Sequence, residues 1–170
     1  AVEAYMDMYV LTGNRTYLDA VMGAWEMHRD PLKGWIHVGG SLAINEGAIY
    51  DPGTFHLMTG DGTTRPARFP TGEFCGAVFW LKLNQRLHRL WPDNETFVLE
   101  MERELYNEGL AHQDRQNKGI RYFSVLNGRK QASTNIGTCC EGQGSRLYGS
   151  VNEYLFSTLP NGGGVYVDIY

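Results

Sequence analysis

The 170-residue chain lacks three things: a long apolar run, an excess of basic charge and an even set of cysteines. No stretch approaches the roughly 18 consecutive apolar residues of a membrane span. No charged-then-apolar leader opens the chain. Lys and Arg number 15 against 19 Asp and Glu, a net charge of −4. No positive field would draw it to nucleic acid or an anionic membrane, and neither partner is expected. Three cysteines cannot pair evenly and are too sparse for a disulfide scaffold. Their number points instead to reduced thiols, metal ligands or a nucleophile, with a strained Cys139–Cys140 bridge as the alternative. Reduced thiols lean toward the cytoplasm, though the compartment is otherwise open.

Present in quantity are apolar residues (42%), aromatics (12%) and 21 glycines, enough for one domain with a sizeable core. The chain opens without Met on helix-like residues and closes on strand-like ones, Val165-Tyr166-Val167-Asp168-Ile169-Tyr170. An internal fragment of a longer protein is expected.

All three cysteines fall in two short segments, Gly72-Glu73-Phe74-Cys75 and Thr138-Cys139-Cys140-Glu141-Gly142. With Glu73 they make four potential ligands, the number a tetrahedral zinc takes. Adjacent cysteines can both ligate where the backbone between them is extended or turned, which Gly137 and Gly142 permit. The spacing is not the usual Cys-x-x-Cys, and three ordinary buried cysteines would read the same way.

Helical periodicity predicts helices over 2–12 and 16–27, the first ended by Thr12-Gly13-Asn14 and the second closed by Asp30-Pro31. Residues 33–72 read as a long Gly- and Pro-rich loop with a short strand at 35–38; such loops tend to carry function. Helices follow at 73–90 and 95–109, then a strand at 120–126 with a turn at Asn127-Gly128. The Cys pair is expected in a loop, with a helix over 144–156 after it. Thr12-Gly13-Asn14-Arg15-Thr16-Tyr17 is echoed 80 positions on by Pro92-Asp93-Asn94-Glu95-Thr96-Phe97. Helical hairpins repeated at a fixed offset suggest a toroid or solenoid.

Other candidates lie mostly in the long segment. A carboxyl in an aromatic-rich pocket can act as general acid. Glu46 in Asn45-Glu46-Gly47 is the foremost of these, with Asp51, Asp61 and Glu141 competing. His37 and His56 could touch a ligand, whereas His88 and His112 read as structural or exposed. Trp35, Tyr50, Phe55 and Tyr122 could stack on a sugar or belong to the core.

In their order, these motifs resemble glycoside hydrolase family 127 and its relative family 146, the β-L-arabinofuranosidase group. The residues concerned are Leu11-Thr12-Gly13, Tyr17-Leu18-Asp19-Ala20, Gly39-Gly40, a loop Glu, Glu-x-Cys opening a helix, Leu105-Tyr106-Asn107, the Cys pair and Gly164-Val165-Tyr166-Val167. The resemblance implies a mainly α fold: residues 1–159 as the later part of an (α/α)6 barrel, and 160–170 as a linker and first strand of a β-sandwich. It implies Zn2+ held by Glu73, Cys75, Cys139 and Cys140, Cys139 as nucleophile and Glu46 as acid/base. His37, His56 and Tyr122 would line the substrate. The partner would be an oligosaccharide or glycoside, with any homo-oligomer formed through other domains. The interval from Glu46 to Glu73 is longer than that family leads one to expect, which points to a divergent subgroup. Two rival readings remain: a non-catalytic helical domain with a structural zinc, and a metal-independent carbohydrate lyase or isomerase on a helical toroid.

Overall fold

The computed structural model describes residues 2–30, 36, 39–41, 43–44, 47–51, 56–58, 64–66, 71–125, 129–130, 132–133 and 137–170. At 43–44, 47–51, 56–58, 64–66, 71, 125 and 160 only the backbone is described. These residues form a mainly helical structure. Helices α1 (Val2–Thr12) and α2 (Arg15–Arg29) make one antiparallel hairpin; α3 (Phe74–Leu90) and α4 (Glu95–Glu104) make another.

The internal echo is a shared cap. The side chain of Asn14 accepts from the Thr16 amide at 3.0 Å, and that of Asn94 accepts from the Thr96 amide at 3.1 Å. Each asparagine satisfies one of the orphan amides at a helix start, so the same turn chemistry returns the chain twice.

Helix α3 is the spine. Its buried residues include Phe74, Cys75, Val78, Trp80, Leu81, Leu83, Asn84 and Leu87, which is more than one stripe. It is therefore flanked on several sides, packing on α1, α4 and α5 (Cys139–Gly149). One side meets Met6, Leu18, Val21, Trp25 and Phe97. The other meets Met101, Cys140, Leu147, Tyr154 and Ile169. Several polar groups around α3 are matched. Asn84 accepts from the Trp25 indole at 2.8 Å and donates to the Trp80 carbonyl at 2.8 Å. The Trp80 indole donates to Glu100, which also takes Arg29 and Arg103. Satisfied buried networks of this kind set a unique packing.

The long segment expected as loop holds short strands: β1 (Ala43–Ile44), β2 (Gly47–Asp51), β3 (His56–Met58) and β4 (Thr64–Pro66), in an antiparallel sheet of that order. Their lengths of 2 to 5 residues explain why periodicity missed them. Of the strand expected at 35–38 only residue 36 is described, and it belongs to no strand; the turn at 127–128 lies outside the described residues. Strand β5 (Thr71–Glu73) pairs antiparallel with β8 (Phe123–Val125), Glu73 opposite Phe123. Between α4 and β8, β6 (Gln113–Asp114) and β7 (Gly119–Ile120) form a small hairpin. The single strand expected over 120–126 is thus split.

Two expected helices are interrupted. After Glu104 the chain widens into a π-helical turn, Leu105–Gly109, and the Tyr148 hydroxyl donates to the Gly109 carbonyl at 2.6 Å. The helix expected over 144–156 starts earlier, at Cys139. It stops at Ser150 and gives way to α6 (Asn152–Leu155) and β9 (Phe156–Thr158). Strand β10 (Val165–Val167) turns back on β9. His88 Nε2 lies 3.0 Å from Asp168 and pins this end to α3.

Glu104 is buried, and among the described residues neither of its carboxyl oxygens has a hydrogen-bond partner. It fills the space beside Gly40, at φ +109°, where a Cβ would lie 2.0 Å from Glu104 Oε2. Burial, then the Glu108 charge, raises its pKa well above the usual carboxylate range. The folded chain thus keeps a proton that the unfolded chain releases at about pH 4. The stabilisation is complete below that pH and is lost as pH rises toward the folded value. Glu104→Gln, which is neutral at every pH, should raise the melting temperature more at pH 8 than at pH 4. Equal shifts at both would show that the carboxyl is not held protonated.

Candidate metal and thiol site

Two helix starts meet here. Cys75 lies in the first turn of α3, and Cys139 and Cys140 open α5. The pair was expected in a loop; the reason it is helical lies in its flanks. Thr138 caps α5, its hydroxyl accepting from the Glu141 amide at 3.3 Å, while Glu141 accepts from the Thr138 amide at 2.7 Å. Thr-x-x-Glu is a capping-box pattern, and it was the sequence signal for a helix start at this point. It also gives Glu141, one of the competing carboxylates, a capping role.

Neighbouring residues on a helix point about 100° apart. Cys139 is accordingly exposed, while Cys140 is 0% and Cys75 9% accessible. Packing of α3 on α5 brings the buried pair together, Sγ to Sγ at 3.2 Å, and the Cys75 amide donates to Cys140 Sγ at 3.3 Å. All three sulfurs lie within 4.8 Å of one another. The three thiols are free, so the vicinal disulfide is not formed.

Glu73 precedes α3 and is buried. Its side chain does not cap the helix, and its carbonyl accepts from the Ser41 hydroxyl at 2.8 Å. Its charge reaches the cluster, for it helps raise the pKa of both Cys75 and Tyr122. The Tyr122 hydroxyl stands 3.6 Å from Cys139 Sγ. Burial, the contact with Cys139 and the Glu73 charge all push that phenol upward. His37 and Glu46 lie outside the described residues, as do Trp35, Phe55 and Asp61. His56 is placed in β3 by its backbone alone.

The donor set fits a thiophilic cation. The hydrogen bond with Cys140, then burial, drives the Cys75 thiol far above its ordinary value. That is the result of crowding soft anionic donors together, and a divalent metal reverses it by taking the thiolates as ligands. A zinc–sulfur bond of about 2.3 Å separates tetrahedral sulfurs by about 3.8 Å, inside the range the three sulfurs span. Two helix N-termini add partial positive charge on the same side.

With that geometry in place, comparison with known proteins is direct. Residues 47–153 match the family described as beta-L-arabinofuranosidase, GH127 catalytic domain. The chain belongs to this family, a family of glycoside hydrolases. The matched stretch includes Glu73 and all three cysteines and begins one residue after Glu46. No curated protein matches the chain.

Sequence reasoning missed Glu108, whose carboxylate meets the buried His112. In the metal-free, reduced protein, Cys139 should react with a disulfide reagent well before Cys75 and Cys140. Three thiols reacting at one rate would contradict the placement of Cys139 outside and the other two within.

Proposed function

We propose that the protein is a retaining glycoside hydrolase that cleaves β-L-arabinofuranosides or related plant-glycan sugars, with Cys139 as nucleophile and Glu46 as acid/base. The observation that carries this reading is the division among the sulfurs. Two are buried and fixed, and the third is exposed on the same cluster. A closed structural metal site has no use for an accessible ligand, whereas a nucleophile needs one.

Glu73, Cys75, Cys139 and Cys140 would hold zinc. When bound, zinc keeps the sulfurs as thiolates at neutral pH and weakens Cys139 as a base, which eases its later departure. The Cys139 thiolate attacks the anomeric carbon; a C–S bond forms as the C–O bond to the aglycone breaks. Glu46 gives its proton to the leaving oxygen. Glu46, now a carboxylate, takes a proton from water as that water attacks the same carbon and the C–S bond breaks. Two inversions give net retention, as in glycosidases whose nucleophile is a carboxylate. The Tyr122 hydroxyl stands beside Cys139 and orients the sulfur or a sugar hydroxyl; His37 and His56 complete the sugar contacts. Residues 1–159 would belong to an (α/α)6 barrel and 160–170 would lead into a β-sandwich.

Elemental analysis of protein purified without added metal should give close to one zinc per chain, lost in Cys75→Ala. Cys139→Ser should lower kcat on an aryl β-L-arabinofuranoside by about a thousandfold or more. Turnover retained in Cys139→Ser would refute the nucleophile assignment. Full activity after zinc removal and thiol alkylation would refute the thiolate chemistry.

A further inference from the structure

His112 lies three residues past the π-helical turn and is 0% accessible. Its ring stacks flat on Phe74, with centroids 4.4 Å apart and planes at 6°. Phe74 is the residue between Glu73 and Cys75. Both ring nitrogens are engaged, Nδ1 at 2.9 Å from the Arg121 carbonyl and Nε2 at 2.8 Å from Glu108 Oε2. A carbonyl only accepts, so Nδ1 carries hydrogen; the Nε2–Glu108 contact also shares a proton. An imidazole tied at both edges cannot rotate.

Helix α5 closes on the Phe74 ring as well. A Cβ at Gly144 would lie 2.6 Å from Phe74 Cε1, so glycine lets α5 approach the ring. The same imidazole also holds the segment between β7 and β8. Besides the Nδ1 bond, the Arg121 amide donates to the His112 carbonyl at 2.7 Å, and the Phe74 amide donates to the Tyr122 carbonyl at 3.2 Å. Phe74 and Arg121 are thus both fixed by one side chain, and each is the chain neighbour of a site residue.

We propose that His112, held by Glu108, is a positioning residue for the thiol site. It fixes Phe74 and Arg121, and through them the directions in which Glu73, Cys75 and Tyr122 face Cys139. The proposal rests on reading that cluster as a metal-holding, nucleophilic site. A satisfied core histidine could fill this space with one hydrogen bond. Here one edge and a face are spent on the segments that carry the site, and the other edge on Glu108, which holds the ring. Residues that orient ligands from behind in this way typically affect metal affinity or activity by about 10- to 100-fold when changed.

The test uses the full-length holoenzyme. His112→Phe keeps an aromatic face for Phe74 but loses both ring hydrogen bonds. Glu108→Gln keeps a partner for Nε2. At a temperature where near-UV circular dichroism shows each variant folded, His112→Phe should lower kcat about 10- to 100-fold, with KM within about twofold. Zinc release to a chelator should accelerate by a similar factor. Glu108→Gln should stay within about threefold of wild type on both measures. A folded His112→Phe with wild-type kcat and zinc release, changed only in melting temperature, would overturn the proposal. Should that variant fail to fold, His112→Gln carries the same expectation and the same overturning result; it keeps a polar partner for Glu108 but offers Phe74 no ring. A wild-type holoenzyme without zinc or glycosidase activity would defeat the reading of the site rather than the positioning. Disulfide-reagent rates then decide: Cys75 and Cys140 reacting about tenfold faster or more in His112→Phe would support the positioning role, and unchanged rates would overturn it.

Discussion

The contact on which the rest depends is sulfur against sulfur, where the N-terminus of α3 abuts that of α5. Cys75 and Cys140 stand 3.2 Å apart in a buried position. Three sulfurs so close suit a soft divalent metal. Helix packing delivers this crowding. Gly144 lets α5 lie down on Phe74, and the capping box at Thr138 sets where α5 begins. The phase of that helix then decides that Cys140 faces in and Cys139 faces out.

The framework behind the cluster is stiffer than its loops suggest. Helix α3 is buried along most of its length, and the Trp25–Asn84 and Trp80–Glu100 bonds fix its rotation. A helix free to rotate by one residue would carry Cys75 away from Cys140. The paired strands β5 and β8 hold the start of α3 from the other side, and His112 joins them to the π-helical turn. Binding energy for a cation or a sugar ring would then act on a site already shaped, which is how preorganised sites limit the entropy lost on binding.

Much of this was legible in the sequence. The four long helices showed through their apolar spacing, and the hairpin echo showed through Asn14 and Asn94, whose side chains proved to cap both returns. The association of Cys75 with Cys139 and Cys140 followed from their being the whole cysteine complement, together with the family resemblance. What periodicity could not show was short. Strands of two or three residues leave no repeat to detect. The π-helical turn differs from an α-helix by its wider hydrogen-bond loop and has no compositional mark. The start of α5 at Cys139 was visible in Thr138 and Glu141, but the glycines on either side read as loop. His112 offered only its i,i+4 spacing from Glu108 as a local signal, because its other partners, Phe74 and Arg121, are distant in sequence or across a hairpin.

The most direct measurement of the central claim is X-ray absorption at the zinc edge of the full-length protein, purified without added metal. The account predicts zinc with three sulfur neighbours at about 2.3 Å and one oxygen neighbour at about 2.0–2.2 Å. Zinc surrounded only by nitrogen and oxygen, or no zinc in a folded and reduced protein, would contradict it.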